Sequence, residues 1–276
     1  MSKAFLARAI GAALLLWVLT GVLQPAAIQA SHSWASHWRR PSSAMFEVPT
    51  RRMLSSIWLT RFATAMADWR KPAMKKIRPK HTSSTGQNAS CPLFMNTMSV
   101  CNGNYGAVPW AGLAQVWSSG GHTVYGRAVQ NDYYMTGTQA VAYRQMVICQ
   151  EIGHVLGLGH INVSFNTPNV GSCMDYTNDP DGGPGGVSNT DPDNMNPYAH
   201  DYAQINSRYS HIGMIPQIIP GLKQDVMPAA MATINPLKVE DFGALVARGD
   251  AGHTERYLRD YGNGWTVTTW VTKHPR

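Results

Sequence analysis

Residues 150–160 carry the side chains in this sequence that are best suited to chemistry. They read Gln-Glu-Ile-Gly-His-Val-Leu-Gly-Leu-Gly-His. On a helix, Gln150 and His154 are one turn apart and face the same side, with Glu151 beside them. Gly157 lets the backbone turn, so that His160 can return to the same point. This spacing predicts a metal site with one open position, where a carboxylate takes a proton from water.

The segment resembles the signature of the metzincin metallopeptidases, HExxHxxGxxH followed by a turn that carries a methionine. Glu151, His154, Gly157 and His160 match it, and residues 172–176 (Ser-Cys-Met-Asp-Tyr) resemble the methionine turn. A glutamine stands at the first histidine position. This exchange replaces an imidazole donor by a neutral amide oxygen, which binds zinc weakly.

The resemblance implies a fold and a division of the chain. The expected fold is α+β and metzincin-like, with a twisted mixed sheet, a backing helix, an active-site helix and a C-terminal helix. The backing helix would end at Ala67-Asp68-Trp69, and residues 101–106 through Asn131-Asp132 resemble the sheet region of small secreted members. The expected divisions are a signal peptide (1–30), an N-terminal linker (31–48), a catalytic domain (49–212) and a C-terminal extension with a short strand (213–276).

The same resemblance implies that the chain would be a secreted metal-dependent endopeptidase. One catalytic ion, zinc or another transition metal such as copper, would be held by Gln150, His154 and His160. Glu151 would act as the general base, Tyr176 would steady the oxyanion, and Met174 would form a hydrophobic floor under the metal. An extended peptide or protein substrate would pair with an exposed sheet edge, which we place at residues 123–129.

Several of these assignments have alternatives that the sequence leaves open. Gln150 is a third ligand, a residue that hydrogen bonds the ligands while water completes the shell, or the remnant of a lost site. If the site is lost, the protein is a catalytically impaired peptide-binding module. Tyr176 could simply pack near the turn. His122, His200 and His211 could replace the missing imidazole, but surface histidines are the commoner case, and we name none of them as a ligand.

Hydrophobic spacing predicts the elements that position these residues. An amphipathic helix is expected from Thr50, with Pro72 after its end, and a well-buried helix over residues 138–156. A polar loop is expected at residues 79–90. The remaining predicted elements are short strands at 98–101, 114–117, 123–129 and 265–271, and a helix over 200–212.

A second loop is expected at residues 177–197, which are too rich in Gly, Pro, Asn and Asp to form a core. Its carboxylates could bind calcium, although a solvated loop is the commoner case. The aspartates concerned are Asp179, Asp181, Asp191 and Asp193.

Composition describes an ordinary globular chain. Of its 276 residues, 44% are hydrophobic and 14% are charged, and the formal net charge is +7. The positive charge is local, because residues 31–80 carry eleven basic side chains against two acids, whereas residues 81–276 carry ten against fourteen. Since the basic residues alternate with an apolar stripe, we expect no nucleic-acid partner.

The first 30 residues predict export. Lys3 and Arg8 precede an apolar run over residues 10–23, which is shorter than the about 20 residues of a membrane span, and Ala30 suits cleavage. We therefore expect an extracellular monomer without stable membrane association after cleavage, and an uncleaved anchor is the less common alternative. The four cysteines allow three pairings. We favour Cys91 with Cys101 and Cys149 with Cys173, because the second bond would clamp the helix to the methionine turn.

Overall fold

A nine-stranded mixed sheet forms the frame of the described part of the chain. The computed structural model describes residues 36–137, 140–161, 164, 167–184, 187–212, 227–249 and 252–274. All of these described residues belong to one compact unit. The strands and helices are β1 (His37–Trp38), β2 (Phe46–Met53), α1 (Leu59–Asp68), β3 (Ile77–Thr85), β4 (Thr97–Gly103), β5 (Gly112–Ser119), β6 (His122–Asn131), α2 (Ala140–Val155), α3 (Ala199–Arg208), α4 (Ala229–Ala232), β7 (Ala244–Arg248), β8 (Thr254–Asp260) and β9 (Trp265–Thr272).

The strand order along the sheet is β3-β2-β4-β6-β5-β9-β8-β7, and β1 pairs with the start of β6. The pairs among β3, β2, β4 and β6 are parallel. The remaining pairs, from β6 through β5, β9 and β8 to β7, are antiparallel. Strand β5 lies between β6 and β9. Helix α1 lies in the crossover between the parallel strands β2 and β3, as parallel pairing requires. The predicted α+β class is confirmed at this level.

Two hydrophobic cores lie on opposite faces of the sheet. Along β5, Ala114 and Val116 belong to the core that includes α1 and α2, whereas Leu113 and Trp117 belong to the other. This is the period of two that a strand imposes. The second core also includes Phe242 and other C-terminal side chains. Because β5 and β6 are covered on both faces, almost every residue in them is buried.

Helix α2 packs on β5 and β6 and against α1. Its side chains are buried almost throughout, which explains why its apolar residues do not form a single stripe. The indole Nε1 of Trp69, just after α1, donates a hydrogen bond of 3.0 Å to the Cys149 carbonyl. This bond fixes α2 relative to α1 one residue before Gln150.

Most predicted elements are confirmed. The strands expected near residues 98, 114, 123 and 265 are β4, β5, β6 and β9. The predicted helix over 138–156 is α2, although residues 138 and 139 lie outside the described residues, and the helix expected over 200–212 is α3. The loop expected at 177–197 contains no helix or strand among its described residues.

The helix expected from Thr50 is wrong at its start. Thr50 lies in strand β2, where it pairs with His81 and Met98, and α1 begins only at Leu59. The buried positions of β2 include a threonine between apolar residues, so its alternation is weak and the stronger helical spacing that follows obscures it.

The polar loop expected at 79–90 is also wrong in its first half, which belongs to β3. This strand ends the sheet on one side, and most of its later side chains are exposed. An exposed edge strand needs no apolar alternation, so its sequence resembles that of a loop.

The predicted disulfides are both present. Cys91 pairs with Cys101 and Cys149 pairs with Cys173, with Cα–Cα distances of 5.6 and 6.0 Å. The predicted signal peptide lies outside the described residues. Within the described part of the chain, no helix has both the length and the apolar character that crossing a membrane requires.

The segments predicted as linker and extension both contribute to the sheet. Trp38, in the predicted linker 31–48, pairs in β1 and is only 1% exposed. Residues 244–272 of the predicted extension supply β7, β8 and β9. The described residues of both segments therefore pack together with those of 49–212.

Candidate metal centre

Two imidazoles meet at the end of α2. Nε2 of His154 lies 3.2 Å from Nε2 of His160, and Nδ1 of His154 lies 2.8 Å from the Leu158 carbonyl. Because a carbonyl only accepts, Nδ1 carries the proton and Nε2 presents its lone pair. A tetrahedral zinc ion with Zn–N bonds of about 2.0–2.1 Å holds its nitrogen ligands about 3.3 Å apart. The two imidazoles therefore fit one ion.

Gly157 makes this meeting of imidazoles possible. Its φ of 106° lies in a region that side chains with a Cβ rarely adopt, so α2 ends and the chain reverses there. The amide of Gly157 donates to the His154 carbonyl at 3.0 Å, and the amide of Leu158 donates to Gly153 at 3.0 Å. The predicted turn that brings His160 back to His154 is confirmed.

The segment predicted as the methionine turn packs against α2. A Cβ at Gly153 would lie 2.4 Å from Sδ of Met174, so only glycine permits the observed contact. After His160, the amide of Ile161 donates to the Met174 carbonyl at 3.0 Å. The Cys149–Cys173 disulfide also joins α2 to the segment that carries Met174. The helix, the turn and the chain after His160 are thus held as one unit.

Glu151 is fully buried against the first residue of β5. A Cβ at Gly112 would lie 2.3 Å from Oε1 of Glu151. Among the described residues, neither carboxylate oxygen has a hydrogen-bond partner of good geometry. Burial raises the pKa of Glu151 well above its ordinary value, and the nearby hydroxyl of Thr272 opposes that shift. A buried carboxyl group with so little hydrogen bonding is costly to the fold, which makes Glu151 a candidate functional residue.

Gln150 is held by hydrogen bonds on both sides of its amide. Its Nε2 donates to the carbonyls of Cys173 at 2.9 Å and Asp175 at 3.3 Å. Its Oε1 accepts from the Thr272 hydroxyl at 2.7 Å. The bonds to the methionine turn orient the oxygen. That oxygen is the ligand atom that the sequence predicted, and in this structure it faces β9.

Strand β9 covers the site. The indole of Trp270 stacks on His154, with ring centroids 4.7 Å apart and planes within 2°. The same indole meets His160 edge-on at 5.6 Å. The whole of β9 pairs antiparallel with β5, from Gly112 opposite Thr272 onward. His154 is fully buried under this strand, whereas His160 is partly exposed.

The substrate edge predicted at residues 123–129 is wrong. Those residues lie in β6, which pairs with β4 on one side and with β5 on the other. Of the two strands under α2, β5 is the one outside the parallel part of the sheet. Its edge away from β6 is already paired with β9. Local alternation identifies a strand but does not show how many neighbours it has.

Tyr176 lies near His160 and also contacts the C-terminal segment. Its ring centroid is 6.4 Å from that of His160 and 5.8 Å from that of His253. Its hydroxyl donates to the Lys273 carbonyl. Burial raises the pKa of Tyr176 well above its ordinary value, so the hydroxyl keeps its proton at neutral pH.

A second group of histidines lies near the turn at Gly157, where an added Cβ would be 4.0 Å from Cβ of His37. One ring nitrogen each of His37, His122 and His211 lies within 4.8 Å of the others, and the group could hold a metal ion. The sequence predicted surface positions for His122 and His211, and it gave no signal for His37. Among the described residues, the loop aspartates considered for calcium form no comparable group.

Comparison with models of protein families, with curated proteins and with solved structures found no match to this chain. Functional inference therefore depends on the geometry of the site.

Proposed function

We propose that this protein is a metal-dependent endopeptidase of the metzincin type that is exported from the cell. The observation that carries the proposal is the meeting of two imidazoles, His154 and His160, beside a helix on which the carboxyl group of Glu151 is fully buried. The match to the metzincin signature supports it. The two disulfides fit an oxidising, extracellular environment.

His154 and His160 would hold the ion, and the amide oxygen of Gln150 would be the third protein donor once Thr272 releases it. Zinc bound there supplies a Lewis acid that polarises a peptide carbonyl and a water molecule. Glu151 accepts the proton of the attacking water and later delivers it to the leaving amine nitrogen. The bond from His154 to Leu158 keeps the ring oriented while the proton moves.

The outer side of β5 is where an extended peptide would bind. β9 pairs there along the whole of β5, and Trp270 and Thr272 contact the proposed ligands. A substrate strand would use the same backbone groups. We infer that β9 holds the enzyme latent, and that loosening its contact with β5 at Trp270 admits substrate. The same loosening would also free the Tyr176 hydroxyl, which could then donate to the oxyanion.

A catalytically impaired peptide-binding module is the second candidate. The observation that favours it is that Gln150 uses both its amide nitrogen and its oxygen in hydrogen bonds to the protein. These hydrogen bonds satisfy the Gln150 amide without a metal ion, as they would in a purely structural residue. The cleft would then hold a strand without cutting it, as it holds β9.

The deciding experiment compares Trp270→Ala, which loosens the cover, with the double variant Trp270→Ala/Glu151→Gln. Both are loaded with zinc and incubated with a mixture of unrelated peptides. We expect cleavage by the first and none by the second, with equal zinc content and similar circular dichroism. If both bind zinc and neither cleaves, the enzyme assignment fails and the binding module replaces it.

A further inference from the structure

We propose that His37, His122 and His211 form a second metal site, which takes a divalent transition-metal ion such as Zn²⁺. The three residues come from separate parts of the chain. His37 begins β1, His122 begins β6, and His211 follows α3. Nothing in the proposed peptidase chemistry uses them, and the inference does not depend on that function.

The distances among the three rings suit a shared ion. Nε2 of His37 lies 2.8 Å from Nε2 of His211, and all three ligand nitrogens lie within 4.8 Å of one another. These values bracket the about 3.3 Å expected between nitrogens on a tetrahedral zinc ion. The ring centroid of His37 is 4.9 Å from that of His122 and 4.6 Å from that of His211.

His122 distinguishes a metal site from a hydrogen-bonded histidine pair. A bond between His37 and His211 satisfies one nitrogen of each, but it leaves Nε2 of His122 buried and, among the described residues, without a partner. The ring of His122 also hydrogen bonds to the Gly120 backbone. Because Nε2 makes no such bond, Nδ1 makes it, and Nε2 keeps its lone pair. This is the arrangement that holds metal-binding imidazoles in place.

The donor set favours a particular class of ion. Three neutral imidazoles suit Zn²⁺, Cu²⁺ or Ni²⁺ rather than the oxygen-seeking Ca²⁺ or Mg²⁺. The positive charges of Arg39 and Arg208 act on His122. They would oppose the ion, so we expect the fourth ligand to be an anion such as hydroxide or chloride. His211 is exposed and leaves room for it.

The site would attach β1 to the turn that positions His160. The amide of Trp38 donates to the Tyr209 hydroxyl at 3.0 Å, and that hydroxyl donates to the Leu156 carbonyl at 2.9 Å. The indole of Trp38 donates to the Val155 carbonyl at 2.9 Å. An ion held by histidines from β1, β6 and the end of α3 would fix this network against the end of α2.

The test measures zinc and cobalt(II) binding in a His160→Gln background, which disables the centre on α2. We expect the His160→Gln protein to bind one equivalent of zinc. Its cobalt(II) form should show a visible absorption spectrum typical of a site with few ligands. Adding His37→Gln or His122→Gln should lower zinc affinity by more than the about 10–100-fold that loss of an outer hydrogen-bond partner costs. The matched control, His81→Gln on exposed β3, should change nothing.

Three outcomes would overturn the proposal. The His160→Gln protein could bind no zinc, the His37 and His122 variants could bind it as tightly as their parent, or the His81 control could lose as much as they do. Circular dichroism checks that each variant is folded, and two independent ligand variants guard against the failure of one. A chain with intact His160 should hold two equivalents if both centres exist. Loss of the α2 centre alone leaves one, so the two proposals fail separately.

Discussion

Replacing Gly112 by alanine would displace Glu151 by steric means alone. The added methyl would lie 2.3 Å from Oε1 of Glu151 and 2.6 Å from Cγ1 of Val147. Ordinary contacts between carbon atoms are about 3.5–4.0 Å, so each overlap is about 1 Å. The φ of Gly112 is not positive, and alanine therefore adds no backbone strain. The carboxylate must move or the strand must shift.

Gly126→Ala is the matched control for this substitution. A methyl at Gly126 in β6 would lie 2.5 Å from Cγ1 of Val155 and 3.2 Å from the Trp38 ring. The overlap is similar and falls on the same helix, but no carboxylate is touched. Overpacking typically costs about 1–3 kcal/mol, or roughly 2–4 °C in thermal midpoint per kcal/mol for a domain of this size. Both variants should lose comparable stability.

The assay is kcat/KM for peptide cleavage by each zinc-loaded variant in the Trp270→Ala background, with zinc content and thermal midpoint measured beside it. We expect Gly112→Ala to lose about 100-fold or more, since a positioned general base contributes about 10²–10⁴-fold. The Gly126→Ala variant should keep most of its activity. If Gly112→Ala cleaves as well as the control, Glu151 does not act from the position described, and the reasoning is refuted.

Three further predictions follow from single features of the structure. Loss of the Cys149–Cys173 disulfide, which spans 24 residues, should lower the free energy of unfolding by about 3.5 kcal/mol in denaturant titrations; no change in the midpoint would contradict this. Hydrogen bonds from Lys80 and Arg78 lower the pKa of Glu47 to about 2. The ionised Glu47 therefore stabilises the fold above its unfolded pKa of about 4.5, and this effect is lost as pH falls towards 2. The thermal midpoints of the parent and of Glu47→Gln should converge over that range. A constant gap between the two midpoints would argue against the assignment. Gln150→His should raise zinc affinity by about tenfold or more in competition with a chelator, and unchanged affinity would mean that this position does not reach the ion.

Local sequence was sufficient where neighbouring residues make the structure. The helix carrying Gln150, Glu151 and His154 and the turn at Gly157 were predictable, because helix spacing and glycine conformation depend on a few consecutive residues. The clamp between Cys149 and Cys173 could also be predicted, since each cysteine adjoins a motif. The strand at Thr50 was missed because its pairing partners lie far along the chain.

The amino-acid sequence by itself determined which side chains of α2 could bind a metal, and how the chain returns His160 to His154. Only the tertiary structure decided what surrounds them. It places Trp270 on His154 and Thr272 on Gln150 through the pairing of β9 with β5. It also brings His37, His122 and His211 together into one group. Such contacts join residues far apart along the chain. They depend on which strands pair, and strand pairing leaves no periodic signal in the sequence around either partner.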